Sequence, residues 1–216
     1  MTSIADPTRR ALVRPYRPED RDALFDICVR TAENGGDSRD LYPDHELLPN
    51  IFAAPYAELE PDLAFVVDDG TRAVGYVVGT ADTAEFVRRF REEWLPRLAD
   101  RYPAPAWMND PGRAPRTPTE VMLRLMHTPE RMLLPELADY PAHLHIDLLP
   151  SHQRAGYGRE LMQALFSALV GKGVPRVHLG MVTANTPARA FYDRLGFHVI
   201  PVPDPGPLTY LGRATV

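Results

Sequence analysis

The chain has 216 residues, carries 29 acidic side chains against 24 Lys and Arg, and has a formal net charge of -5. Its 44% hydrophobic and 25% charged content suits one folded domain rather than a disordered chain, and the acid excess argues against a nucleic-acid partner, which needs basic faces to displace counterions. A lone cysteine, Cys28, allows neither an intramolecular disulfide nor a Cys-rich zinc site, and no apolar run reaches about 18 residues, so a cytoplasmic protein without membrane contact is expected.

In chain order, residues 1–10 read as a flexible tail and 11–216 as one domain. Ala11 to Tyr16 reads as a strand, and Pro18-Glu19-Asp20 opens a helix that carries Leu24, Phe25, Ile27, Cys28 and Val29 and stops at Asn34-Gly35-Gly36. Prolines 43, 49, 55 and 61 break the next stretch into short helical pieces and loops. Leu63 to Val67, the turn Asp68-Asp69-Gly70 and Ala73 to Thr80 make a hairpin. Thr83 to Leu98 is helical by period, with Pro96 expected to end it early. Nine prolines between Pro96 and Pro141 exclude one long helix or a central strand, yet Trp94, Trp107, Met122, Leu125, Met126 and Leu133 are too apolar for a tether. Residues 81–141 therefore read as a packed insertion. His143 to Leu149 reads as a strand, Arg159 to Gly171 as an amphipathic helix, Arg176 to Val182 as a strand, Pro187 to Leu195 as a helix, and Phe197 to Pro201 and Leu208 to Ala214 as closing strands.

Two segments carry chemistry. Gln153-Arg154-Ala155-Gly156-Tyr157-Gly158 follows a strand and opens a helix; glycines there admit a ligand close to the main chain, and free N–H groups at a helix start favour a pyrophosphate. Asn185, Ala188, Phe191, Tyr192, Gly196 and Phe197 form the second, N-x-x-A-x-x-F-Y-x-x-x-G-F. In this order and separation the pair resembles the GNAT (GCN5-related N-acetyltransferase) superfamily, across Ala11 to Arg213 at the level of element order. The resemblance implies an α/β domain with a mixed central sheet flanked by helices, the proline-rich insertion preceding the cofactor-binding strand. A finer likeness, carried by Cys28-Val29-Arg30-Thr31, Asp40-Leu41-Tyr42-Pro43, Asp147, Asn185, Tyr192 and Tyr210-Leu211-Gly212-Arg213, is to the acetyltransferase-like domain at the C-terminus of protein O-GlcNAcases and its free-standing bacterial relatives. The eukaryotic version is generally thought unable to bind acetyl-CoA, whereas the pyrophosphate loop is intact here.

By that resemblance, the main-chain N–H groups from Arg154 through Ala155, Gly156, Tyr157 and Gly158 to Arg159 hold the pyrophosphate of acetyl-CoA. Gln153 steadies the loop, Leu148 and Leu149 offer main chain to the pantetheine arm, and Asn185 contacts that arm or caps its helix. Tyr192 is the expected general acid at the departing sulfur. Strand alternation puts His143, His145 and Asp147 on one face, where Asp147, a histidine or water takes the amine proton; the bland alternative is a buried polar network. The acceptor, a small-molecule amine or a peptide, is expected among the first helix, Gly35-Gly36, Tyr42 and Trp107. The net negative charge weakly favours a cationic amine or basic peptide. The expected activity is direct acetyl transfer from acetyl-CoA to an amine by a monomer or homodimer, with no covalent route through Cys28, expected away from the motif strand. The competing readings are an inactive binding module on the same fold and a metal-dependent hydrolase using His143, His145 and Asp147; no metal is expected.

Overall fold

A computed structural model describes residues 10–110 and 112–216. Of the expected tail, residues 1–9 lie outside the described residues, and Arg10 pairs with Glu160 and stands over the Tyr157 ring. Strand β1 (Leu12–Pro15) leads through a 3-10 turn (Pro18–Asp20) into α1 (Arg21–Thr31), the proline and acids falling at the helix start as a first turn requires. Arg14 ties the two elements with a bidentate pair to Asp20 (2.7 and 2.8 Å). The proline-broken stretch supplies α2 (Pro49–Phe52) and α3 (Ala54–Leu59). Strands β2 (Ala64–Asp68) and β3 (Ala73–Thr80) are the expected hairpin, with Gly70 at φ 94° in its turn.

Helix α4 (Thr83–Arg89) is capped by Asp82, passes through a π-helical turn (Phe90–Trp94) and continues as α5 (Leu95–Leu98). Pro96 therefore does not end the helix early. It sits in the first turn of α5, where the wider turn before it accommodates the missing donor. The insertion holds α6 (Pro118–His127), which the proline density concealed although Thr117 caps it and Pro118 opens it. With α2 it buries Leu47, Ile51, Tyr102 and Met126 in a second apolar cluster. Then follow β4 (Ala142–Leu148), α7 (Tyr157–Gly171), β5 (Arg176–Val182), α8 (Thr186–Arg194), β6 (His198–Ile200) and β7 (Leu208–Ala214).

The seven strands form one mixed sheet in the order β1-β2-β3-β4-β5-β7-β6. Helix α7 lays Leu161, Met162, Leu165 and Leu169, all fully buried, on one face of β2 and β3, and α1 and α3 cover the other. The decisive feature lies between β4 and β5. Strand β4 stays paired with β3 from Thr80–His143 to Gly75–Leu148, and β5 stays paired with β7 from Arg176–Ala214 to Val182–Leu208. The two parallel neighbours meet only at Ala142–Val177 and His143–His178. Beyond His143 the sheet opens into a wedge. Among the described residues no helix is long and apolar enough to cross a membrane.

Candidate active site

Antiparallel pairing directs the main-chain groups of alternate residues to opposite sides of a strand. The Leu149 N–H donates to Val74 O (2.9 Å), so Leu149 faces β3, while Leu144, Ile146 and Leu148 direct their main-chain groups into the wedge. The Leu148 carbonyl accepts from Gln153 Nε2 (2.9 Å), which fastens the loop to the strand end. In that loop Arg154 (φ 62°) and Gly156 (φ 93°) both adopt left-handed conformations, and the chain enters α7 at Tyr157. The Gly156 carbonyl accepts from the N–H groups of Arg159 and Glu160, the first amides bonded within the helix. The earlier N–H groups precede the first bonded turn and lie at the positive end of a 15-residue helix dipole. Arg154, Ala155, Gly156 and Arg159 are exposed, whereas Tyr157 is buried and its hydroxyl accepts from Ala11 N (3.1 Å), pinning α7 to β1. A Cβ on Gly158 would stand 3.2 Å from the Phe191 ring, so glycine there lets α8 pack against the start of α7.

The polar face of β4 is organised by partners on three other elements. Tyr76, directly across from Asp147 in the β3–β4 ladder, donates its hydroxyl to Asp147 Oδ2 (2.5 Å). Burial is the largest influence on this carboxyl and outweighs the bond from Tyr76, so its pKa is pushed up to about 6. Cys28, expected away from this strand, in fact sits beside it, close enough that the Asp147 charge acts on its thiol. The helical period of α1 places Cys28 and Thr31 on the same face, three residues apart, and that face packs on β3 and β4. At 2% exposure and with its pKa driven up by burial, the thiol is no nucleophile.

His143 and His145 follow a different logic. Thr83 donates its hydroxyl to Pro141 O (2.8 Å) and so accepts from His143 Nδ1 (2.8 Å); His143 Nε2 then accepts from the Tyr56 hydroxyl (2.8 Å), whose oxygen takes the Nε2–H of His145 (3.2 Å). This chain assigns both tautomers and leaves Nδ1 of His145 as an acceptor. Burial lowers both pKa values, that of His145 to about 4, so both rings are neutral at pH 7. The histidine part of the face is a buried network, and Asp147 stands apart from it on Tyr76. Among the described residues no three His, Cys, Asp or Glu side chains are placed to hold a metal ion.

From the face that α7 covers, α8 brings Tyr192 to the wedge. Its ring packs between Phe191 and Phe197 (centroids 5.2 and 5.4 Å) at 8% exposure. Burial first, and the nearby Asp147 charge second, raise its pKa, and among the described residues no hydrogen bond engages the hydroxyl. Asn185 is the N-cap: its Oδ1 accepts from Ala188 N (3.1 Å). Of the expected acceptor-side groups, Tyr42 is half-buried against the main core, and Trp107 lies between Arg113 and Arg124 as part of the packing of the insertion. Sequence reading missed Tyr76, Tyr56 and Thr83 as partners of the polar face. The β3 segment reads as apolar throughout, and only the antiparallel register of β3 on β4 reveals which of its residues oppose His143, His145 and Asp147.

A splayed mixed sheet with a glycine-bearing helix start at the wedge mouth can be compared with known proteins. The Acetyltransferase (GNAT) family model matches residues 133–197, which span β4 to the end of α8. The crystal structure of SsHAT superposes with a TM-score of 0.90 at 60% sequence identity, covering 96% of this chain and 100% of that one. The chain belongs to the GNAT acetyltransferase family. Protein O-GlcNAcase of Mus musculus is 25% identical over 187 residues, 85% of this acetyltransferase but 20% of the relative, so the chain spans about one fifth of the curated relatives it matches. The yncA acetyltransferase of Salmonella typhimurium, solved with its cofactor acetyl-CoA, shares the fold at 15% or less: 14% identity, TM-score 0.53, 96% of this chain and 95% of that one.

Proposed function

We propose that this acetyltransferase takes acetyl-CoA as donor and transfers the acetyl group directly to an amine, with the β4–β5 wedge as the site. The observation that carries the reading is the wedge itself: beyond the last β4–β5 pair, the Ile146 main chain and the Leu148 N–H, turned away from β3, lead from the Asp147 and Tyr192 side chains towards the loop amides that precede the first bonded turn of α7. Bound there, acetyl-CoA supplies an activated thioester. The amides around Gly156 and Tyr157 hold the pyrophosphate, aided by the helix dipole. Arg154 and Arg159, exposed beside them, add positive charge. The Leu148 N–H and the Ile146 main chain orient the pantetheine arm as an added strand would.

Asp147 and Tyr192 divide the proton work from opposite faces of the sheet. Asp147 is mostly ionised at pH 7 and accepts the proton that the attacking amine gives up. Tyr192 keeps its proton, because burial and the Asp147 charge both disfavour the phenolate, and donates it to the leaving sulfur. One N–C bond forms, one C–S bond breaks, and the proton lost at nitrogen is matched by the one gained at sulfur. Calorimetry with acetyl-CoA followed by an amine panel tests the reading. Micromolar binding, about -8 kcal/mol, with thiol release on at least one amine is the expected result. Binding without turnover on any amine indicates the inactive binding module, and absence of binding overturns the site.

A further inference from the structure

One charged group beside the wedge has no role in the reading above. Arg131 lies in the 3-10 turn (Pro129–Met132) that closes the insertion. Its Nε is sealed from solvent and, among the described residues, has no hydrogen-bond partner. Among the described residues the guanidinium forms no salt bridge; the titratable groups that feel its charge include Tyr56, Tyr210, His143 and His145, and burial disfavours the charge itself. Most other arginines of the insertion are treated differently: Arg91 pairs with Glu130, Arg97 with Glu58, Arg101 with Asp44 and Arg113 with Glu120, while Arg124 bonds to the Arg113 carbonyl.

Its place is fixed by its neighbours. The sulfur of Met132, the next residue, lies 3.9 Å from the Tyr56 hydroxyl oxygen, and that hydroxyl joins His143 and His145 on β4. Tyr210 lies across the wedge on β7, its ring against Gly180 of β5. His143, His145, His178 and Tyr210 are all neutral groups that register the Arg131 charge or line the same face. Arg131 thus stands over the inner end of the wedge, on the face opposite α7. A largely buried guanidinium without a counter-charge is costly, and an anion reaching its terminal nitrogens would supply the missing partner.

We propose that Arg131 is the anion-binding residue of the acceptor pocket, and that the acceptor is an amine carrying a carboxylate or phosphate group. The inference rests on the wedge being the acetyl-transfer site. It reverses, at close range, what the net charge of -5 suggests at long range. A forked guanidinium accepts either anion with two parallel bonds, the free Tyr210 hydroxyl is a further donor, and the Nδ1 of His145 and Asp147 are left to the ammonium end.

The test uses the full chain with acetyl-CoA and amines that differ in one group. Glycine, β-alanine, 4-aminobutyrate and 5-aminovalerate are compared with amino alcohols of equal length, and O-phosphoethanolamine with ethanolamine. An anionic member of the series is expected to exceed its neutral counterpart in kcat/KM by about tenfold or more, the scale of a charge-assisted pair. Arg131→Met removes that preference and leaves the amino alcohols within about threefold of wild type, with acetyl-CoA affinity unchanged; Arg131→Lys, which keeps the charge without the fork, loses part of it. The carboxylate and phosphate arms decide which anion is preferred. In parallel, the side-chain Nε–Hε resonance, assigned by its loss in Arg131→Lys, is followed by nitrogen-15 NMR as 4-aminobutyrate or O-phosphoethanolamine is added. Equal use of neutral and anionic amines, or a preference that survives Arg131→Met, overturns the proposal. If no amine turns over, a shift of the Arg131 signal by either anion upholds the anion site and sinks the transfer reading, whereas an unmoved signal sinks the anion site itself.

Discussion

Tyr192 offers the sharpest test of mechanism, since the residue is 8% exposed and, among the described residues, no hydrogen bond engages its hydroxyl. Tyr192→Phe is expected to lower kcat by about 100-fold or more while acetyl-CoA affinity barely changes, because the proton matters chiefly in the transition state. Asp147 carries the pH dependence. With its pKa near 6, kcat/KM is expected to rise with pH through an inflection near 6 and level off above it. Asp147→Asn lowers kcat and abolishes that inflection; a residue serving only to anchor Tyr76 would leave the profile in place. Gly156 tests the loop. Its φ of 93° makes any side chain strained, and Gly156→Asp adds an anion where phosphate is expected. Acetyl-CoA affinity should fall by about 100-fold or more in calorimetry. The fold should survive, because a carboxylate at a helix N-terminus recovers part of the strain energy.

Among the elements, α8 depends on its cap. Asn185→Ala removes the acceptor for Ala188 N and is expected to cost about 1 kcal/mol, a fall of about 2–4 °C in Tm for a chain of this size. Because α8 also carries Tyr192, the same change is expected to lower kcat more than it weakens acetyl-CoA binding, measurable by comparing turnover with calorimetry on the folded variant. The insertion behaves as structure rather than tether: α6 is capped at Thr117, and Tyr102 and Met126 are buried with Leu47 and Ile51. Limited proteolysis of the native protein should accordingly spare α6.

For the whole molecule, stability against pH follows from the buried histidines. The pKa of His145 in the fold, about 4, lies below its unfolded value of about 6.5, so the unfolded chain takes up the proton first. Stability is lost as pH falls from about 6.5 towards 4, by about 3 kcal/mol from this ring once both values are passed. Asp147 acts with the opposite sign: its raised pKa favours the protonated fold, so it opposes that loss between about 6 and 4. Thermal melts across this window should show a flatter acid limb for His145→Gln, which can still bond Tyr56, and a steeper one for Asp147→Asn.

Much of this was legible in the chain. Local signals act over a few residues: Pro18-Glu19-Asp20 opening α1, Asp68-Asp69-Gly70 turning the hairpin, the glycines of the Gln153 to Gly158 loop, and the alternation that sets His143, His145 and Asp147 on one face. Each depends on backbone sterics and side-chain period, which a sequence displays directly. Partners do not. Whether Asp147 meets Tyr76, whether Cys28 lies beside it, whether His143 and His145 share the Tyr56 hydroxyl, and whether Arg131 finds a counter-charge depend on residues far apart in the chain, 71 positions for Tyr76 and Asp147, being packed together. The wedge is of the same kind. Nothing in β4 or β5 alone announces that they part after His143; that follows from β4 holding to β3 while β5 holds to β7, a competition between pairings that only the assembled sheet resolves.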